Sequence, residues 1–121
     1  MTECVFCSCT ERLFENNLVF AIYDRYPVSV GHMLIIPKRH ISSYFESTDA
    51  ERSAILSMLD SCQKFLQERY NPDGYNIGIN VGEAAGQTVM HLHVHIIPRY
   101  TGDIDDPRGG IRGAIPEKRV Y

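Results

Sequence analysis

Apolar and polar residues alternate from Val89 to Ile97, the sharpest periodicity in the chain. Period two predicts a β-strand over residues 89–98, with His91, His93 and His95 on one face and Leu92, Val94 and Ile96 pointing into a core. Three imidazoles at alternate positions form a row about 13 Å long. Residues 18–23 are an apolar, β-prone run. Residues 32–37 form a second, buried run that ends on Pro37, and a hairpin through Pro27 and Gly31 is the simplest link between the two. Thr48-Asp49-Ala50-Glu51 fits a capping box, so a helix should start there. Ile55, Leu59, Cys62, Phe65 and Leu66 then recur at helical spacing to about Tyr70, where Asn71-Pro72-Asp73-Gly74 supplies a stop and a turn. Residues 75–81 read as a third strand and residues 82–87 as a glycine-containing loop. Residues 100–121 mix Gly, Pro and charges and predict no regular structure. No internal repeat is found. The pattern sums to an α+β fold, an antiparallel sheet with one main helix packed on it.

At 121 residues the chain is expected to be a single domain, with its core over about 4–99 and a tail over 100–121. A formal net charge of -3 argues against a general nucleic-acid surface or a polybasic membrane contact. Local basic clusters remain at Lys38-Arg39-His40 and between Arg108 and Arg119. No apolar run approaches the ~20 residues needed to cross a bilayer. Met1-Thr2-Glu3-Cys4 lacks a secretory pattern, so a cytoplasmic location is expected.

Three of the four cysteines, Cys4, Cys7 and Cys9, crowd the first nine residues, a spacing suited to metal or redox chemistry rather than a disulfide framework. A redox CxxC belongs beside a βαβ pattern, which is missing here. Cys62 lies on the apolar face of the helix and reads as core. The loop Gly82-Glu83-Ala84-Ala85-Gly86-Gln87-Thr88 is not a P-loop: it has three residues between its glycines, Gln87 in place of the lysine, and a strand rather than a helix after it.

Three of the five histidines alternate in one strand, which points to chemistry. Imidazole is largely neutral at pH 7 and serves as nucleophile, proton carrier or metal ligand. The stretch Gly86-Gln87-Thr88-Val89-Met90-His91-Leu92-His93-Val94-His95-Ile96-Ile97-Pro98-Arg99 resembles the signature of the histidine-triad (HIT) superfamily of nucleotidyl hydrolases and transferases. Ala21-Ile22-Tyr23-Asp24-Arg25-Tyr26-Pro27-Val28, followed by Gly31-His32-Met33-Leu34-Ile35-Ile36-Pro37, is similar to that family's first hairpin. The resemblance covers most of residues 4–99.

It implies an antiparallel sheet of about five strands with one main helix and a short helix. By the same resemblance His93 would attack the α-phosphorus of a nucleotide and form a covalent nucleotidyl-histidine. His95 would contact phosphate oxygens or the departing group, and Gln87 would offer an amide hydrogen bond near the attacked phosphate. Thr88 leads into the same strand and joins the substrate-binding set. Asp24 stands where the family holds ribose hydroxyls, although a solvated turn aspartate fits the sequence nearly as well. His32 is a structural histidine or a nucleotide contact. Family members with an N-terminal CxxC use it with two histidines, here His40 and His91, so Cys4, Cys7, His40 and His91 would form a closed, structural zinc site. Cys9 is a close spare.

Histidine rather than glutamine at position 95, with Pro98-Arg99, looks closer to diadenosine-polyphosphate hydrolases than to uridylyltransferases, and points to diadenosine tetraphosphate-like substrates. A nucleoside phosphoramidase, a nucleotide phosphorylase and a nucleotide-binding regulatory module are the alternatives. A homodimer paired through the helix and a sheet edge is common in such a family. The stretch between Cys7 and Leu18 departs from it, being short and lacking the usual Gly-Glu-Ile-Pro passage.

Overall fold

The computed structural model describes residues 4–121; Met1, Thr2 and Glu3, where the leader pattern was sought, lie outside the described residues. Five antiparallel strands, β1 (Phe14–Glu15), β2 (Val19–Tyr23), β3 (Met33–Pro37), β4 (Gly74–Gly78) and β5 (Val94–Arg99), lie in the order β1-β2-β3-β5-β4. One long helix, α1 (Asp49–Tyr70), covers one face. Short 3₁₀ turns lie at Tyr44–Glu46 and Glu83–Ala85, and the tail adds two more at Gly110–Ala114 and Pro116–Lys118.

The register sorts the side chains onto two faces, because residues directly opposite in a ladder point the same way. Val19, Ala21, Met33, Ile35, Val94 and Ile96 face α1 and meet Ile55, Met58, Cys62 and Leu66. Phe20, Leu34 and Ile36 face the other way and are covered by the N-terminal segment through Phe6. β3 reads as an unbroken apolar run because both of its faces are buried. His95 lies opposite Leu34, and so belongs to the face away from the helix.

The helix starts as its sequence directs. Thr48 Oγ1 accepts from the Glu51 N–H at 3.1 Å, and Glu51 Oε1 accepts from the Thr48 N–H at 2.9 Å. Asn71, with φ of 48°, ends it in the left-handed conformation, and Pro72 follows. Gly31 enters β3 at φ of 91°, and a Cβ there would stand 3.0 Å from the Tyr70 ring, so glycine is required on both counts.

Two bounds of the expected strands differ from the sequence pattern by more than one residue. β4 ends at Gly78 rather than at 81, and β5 starts at Val94 rather than at 89. The Leu92 N–H donates to the Ile41 carbonyl at 2.6 Å, and the Gln87 amide reaches the Ser42 carbonyl at 2.8 Å. The chain before Val94 is thus drawn onto residues just beyond β3 and leaves the ladder. Alternation survives this: Leu92 still enters the helix-side core while His91 and His93 turn away from it.

Glu51 is almost fully buried and takes two hydrogen bonds from Arg39, at 2.8 and 3.1 Å. The Arg39 guanidinium holds the Glu51 carboxyl down at about 2. Glu51→Gln should lower stability by about 1–2 kcal/mol by weakening the cap and the pair. Because the folded value is depressed, the contribution is present above the ordinary carboxylate value of 4.5 and fades toward 2. Urea titrations should therefore show wild type and variant converging across that interval; a gap that stays constant would contradict the assignment.

Candidate functional site

Two groups of side chains meet on the face away from α1. The first is Cys4, Cys7, His40 and His91, whose ligand atoms all lie within 4.8 Å of one another. His91 is fully buried, and its Nε2 lies 2.7 Å from the Pro37 carbonyl oxygen. A carbonyl oxygen can only accept, so Nε2 carries the ring hydrogen and Nδ1 presents a bare lone pair. That Nδ1 stands 3.3 Å from Cys4 Sγ, 3.5 Å from Cys7 Sγ and 3.1 Å from His40 Nδ1, while His40 Nδ1 lies 3.2 Å from Cys7 Sγ. A tetrahedral ion at ordinary bond lengths separates two nitrogens by about 3.3 Å and nitrogen from sulfur by about 3.5 Å. The four residues fit a metal ion of the zinc type. Cys9 lies outside the cluster, in the apolar packing around Phe6 and Phe20. Cys62 is core, and burial pushes its thiol up to about 12.

Asp24, His32 and His95 form a second close group. The Val28 N–H donates to His32 Nδ1 at 3.0 Å, so the hydrogen of the neutral His32 ring sits on Nε2. That nitrogen faces His95 Nδ1 at 3.0 Å and Asp24 Oδ2 at 3.4 Å. A metal would need the lone pair of Nε2, which this tautomer does not offer. The group is instead a hydrogen-bond chain that fixes His95: with Nδ1 accepting, its Nε2–H is a donor.

His93 lies between the groups and is 9% exposed. Its Nδ1 is 2.8 Å from the His91 carbonyl oxygen and donates to it, which leaves Nε2 as the ring's free lone pair. The Phe6 ring meets His93 edge-on at 5.1 Å and His91 at 5.9 Å, and the His93 and His95 rings are 5.1 Å apart. The pair therefore offers one nucleophilic nitrogen beside one N–H donor. Burial, helped by the neighbouring His93 and His32 rings, pushes His95 down to about 4, and burial lowers His32 and His91 as well.

Of the residues expected at the site, His93, His95, His32 and Asp24 converge; Asp24 Oδ1 also takes the Tyr26 N–H, so it holds the turn as well. Gln87 stands otherwise than expected. It is buried, its amide donates to the Ser42 and Val89 carbonyls, and its Oε1 accepts from the Gly82 N–H. These bonds use both amide hydrogens in holding the loop, so the amide is not directed at a ligand. Thr88 is exposed on the same loop. Phe6, which packs on two of the triad rings, was not foreseen; its place between Cys4 and Cys7 was the available signal.

Residues 8–102 match the HIT domain family, and the chain belongs to it. It is 34% identical over 90 residues to a Mycobacterium tuberculosis protein named AP-4-A phosphorylase, covering 74% of this chain but 46% of that relative. The chain thus spans about half the length of that relative. A HIT family protein from Bacillus anthracis superposes with a TM-score of 0.78 at 37% identity, covering 83% of this chain and 75% of that one. A zinc-bound histidine triad family protein from Mycobacterium smegmatis superposes with a TM-score of 0.75 at 34% identity, covering 83% and 77%. Among the described residues no helix is long and apolar enough to cross a membrane.

Ring-resonance titration should find His95 neutral, with its hydrogen on Nε2, down to a pH of about 4. Because the folded value lies below the ordinary 6.5, the unfolded chain binds more protons between the two, and stability should fall as pH drops from 6.5 toward 4. A His95 midpoint near 6.5 would show that the ring is not desolvated.

Proposed function

We propose that this chain is a nucleotidyl hydrolase or transferase acting on dinucleoside polyphosphates of the diadenosine tetraphosphate type. His93 Nε2 attacks the α-phosphorus. A P–N bond forms as the P–O bond to the departing polyphosphate breaks, and the electron pair leaves on that oxygen. Attack by Nε2 makes the ring cationic, and the Nδ1–H bond to the His91 carbonyl stabilises that charge. The His95 Nε2–H donates to phosphate oxygen or to the departing oxygen, so it stabilises charge where it develops. An oxygen acceptor then forms the new P–O bond, the P–N pair returns to His93, and the acceptor's proton passes to solvent.

The observation that carries this reading is the tautomer pattern: a lone pair on His93 beside a donor on His95, each imposed by a bond to the opposite ring nitrogen. Asp24, at the edge of the pair, is the proposed partner of the ribose diol. The AP-4-A phosphorylase name of one relative favours a second acceptor, inorganic phosphate. Water would release AMP from the intermediate, whereas phosphate would release ADP.

Quenching turnover of diadenosine tetraphosphate and digesting the protein should show AMP mass on the peptide carrying His93. His93→Ala should lose both the adduct and turnover, by at least about 10³-fold, while still binding nucleotide. Turnover that survives His93→Ala, or an adduct elsewhere, would refute the reading.

We also propose that Cys4, Cys7, His40 and His91 hold zinc in a structural role, supported by the distances and by the zinc-bound relative. Four protein ligands leave no position open for substrate, so the ion would pin the N-terminal segment to the His91 backbone. Elemental analysis should give one zinc per chain, and Cys7→Ser should lose the metal and several degrees of Tm. Full zinc content in Cys7→Ser, or none in wild type, would remove the site.

A further inference from the structure

A cleft of about 480 Å³ opens at the far end of β5, and the histidine pair does not line it. Its walls come from the ends of β4 and β5 and from the chain that follows, including Gly74, Asn76, Arg99, Tyr100, Asp103 and Ile104. The ladder pairs His95 with Gly78, Ile97 with Asn76 and Arg99 with Gly74, so the residues lining the cleft from β4 and β5 include three that share a face with His95. Arg99 lies four residue steps beyond His95, about 13 Å along the strand. The tail forms the side wall: Gly110 lies against Asn76, and the Ile111 side chain stands 3.7 Å from where a Cβ on Gly78 would be.

We propose that this cleft receives the second nucleoside of a dinucleoside polyphosphate, the half that departs when His93 takes the first; this rests on the function proposed above. The size falls in the range of small-molecule sites, roughly 300–1,000 Å³. Its charge decides what kind of group fits. Asp73, Asp103 and Asp105 line it against one guanidinium, Arg99. That guanidinium is already committed, with two bonds of 2.8 Å to Asp103 and one of 2.6 Å to Asn76. A phosphate there would meet surplus negative charge and no uncommitted arginine. An uncharged group rich in hydroxyls meets acceptors, and the apolar surfaces of Tyr100 and Ile104 suit the flat face of a base. The phosphate chain would lie between His95 and the cleft, with only the sugar and base inside it.

Two substrates isolate this contact: diadenosine tetraphosphate and adenosine 5′-tetraphosphate, which share a phosphate chain and differ by the second nucleoside. Wild-type protein should turn over both through the His93 adduct, with a KM about tenfold lower for the dinucleoside, a factor typical of one well-placed group. Gly74→Trp fills the cleft; nothing lies within 4 Å of a Cβ at Gly74, so a side chain is accommodated there. Ile104→Ser, at a half-exposed loop position, removes the apolar surface offered to the base without touching the strands. In either variant the dinucleoside KM should rise to that of the mononucleotide, whose own KM and kcat stay within about twofold, well under the tenfold step expected of a lost contact. No preference in wild type, or a preference that survives both variants, overturns the cleft assignment while adducts on His93 still stand. Absence of the adduct with either substrate overturns the nucleotidyl-transfer reading and the cleft with it.

Discussion

His91 joins three parts of the molecule through its own polar atoms. Its Nε2–H bonds the last carbonyl of β3, its Nδ1 enters the cysteine–histidine cluster, and its backbone carbonyl takes the hydrogen of His93 Nδ1. None of these choices is independent. The carbonyl of Pro37 fixes the tautomer of His91, which exposes the lone pair the cluster needs. The buried backbone beneath then sets the tautomer of the ring two residues on. A buried ring with an unsatisfied nitrogen would cost on the order of 1–3 kcal/mol, and the cluster supplies that nitrogen with partners.

The helix takes part in the same arrangement from the other side of the sheet. Arg39 precedes His40 in the segment that leaves β3, and its guanidinium is anchored by Glu51 in the first turn of α1 and by the Glu46 carbonyl. The acidic member of the capping box therefore also holds the side chain of the residue next to a cluster ligand. Ile41, one residue further on, accepts the Leu92 N–H and completes the link to the histidine segment. Three consecutive residues, Arg39, His40 and Ile41, thus connect helix, cluster and triad, and an isolated reading of any one of them as a surface charge or a loop residue misses its role.

Residues whose roles depend on local chain geometry were legible in the sequence. Period-two spacing placed Leu92, Val94 and Ile96 in the core and turned the histidines to the other face, and the Thr48–Glu51 box marked the helix start where the structure has it. What failed depended on distant partners. The start of β5 was read five residues early because nothing in residues 89–93 announces that Ile41 and Ser42 will capture Leu92 and Gln87. The same distant carbonyl turned Gln87 from an expected phosphate contact into a loop brace. β1 was missed since two residues carry no periodicity, and the cleft was missed because its walls come from segments some twenty residues or more apart in the chain.

The triad's electrostatics follow from packing imidazoles against each other in a desolvated place. Burial disfavours the cation at His95 and His32 even with Asp24 beside them. A neutral His95 donates through one N–H and keeps the resting site free of surplus positive charge. In the proposed reaction His95 acts as this neutral donor throughout, because its Nδ1 takes the His32 Nε2–H and so does not carry a hydrogen of its own. Desolvation strengthens the hydrogen bond that its Nε2–H would offer to anionic oxygen, which links the packing of this face to the chemistry proposed for it.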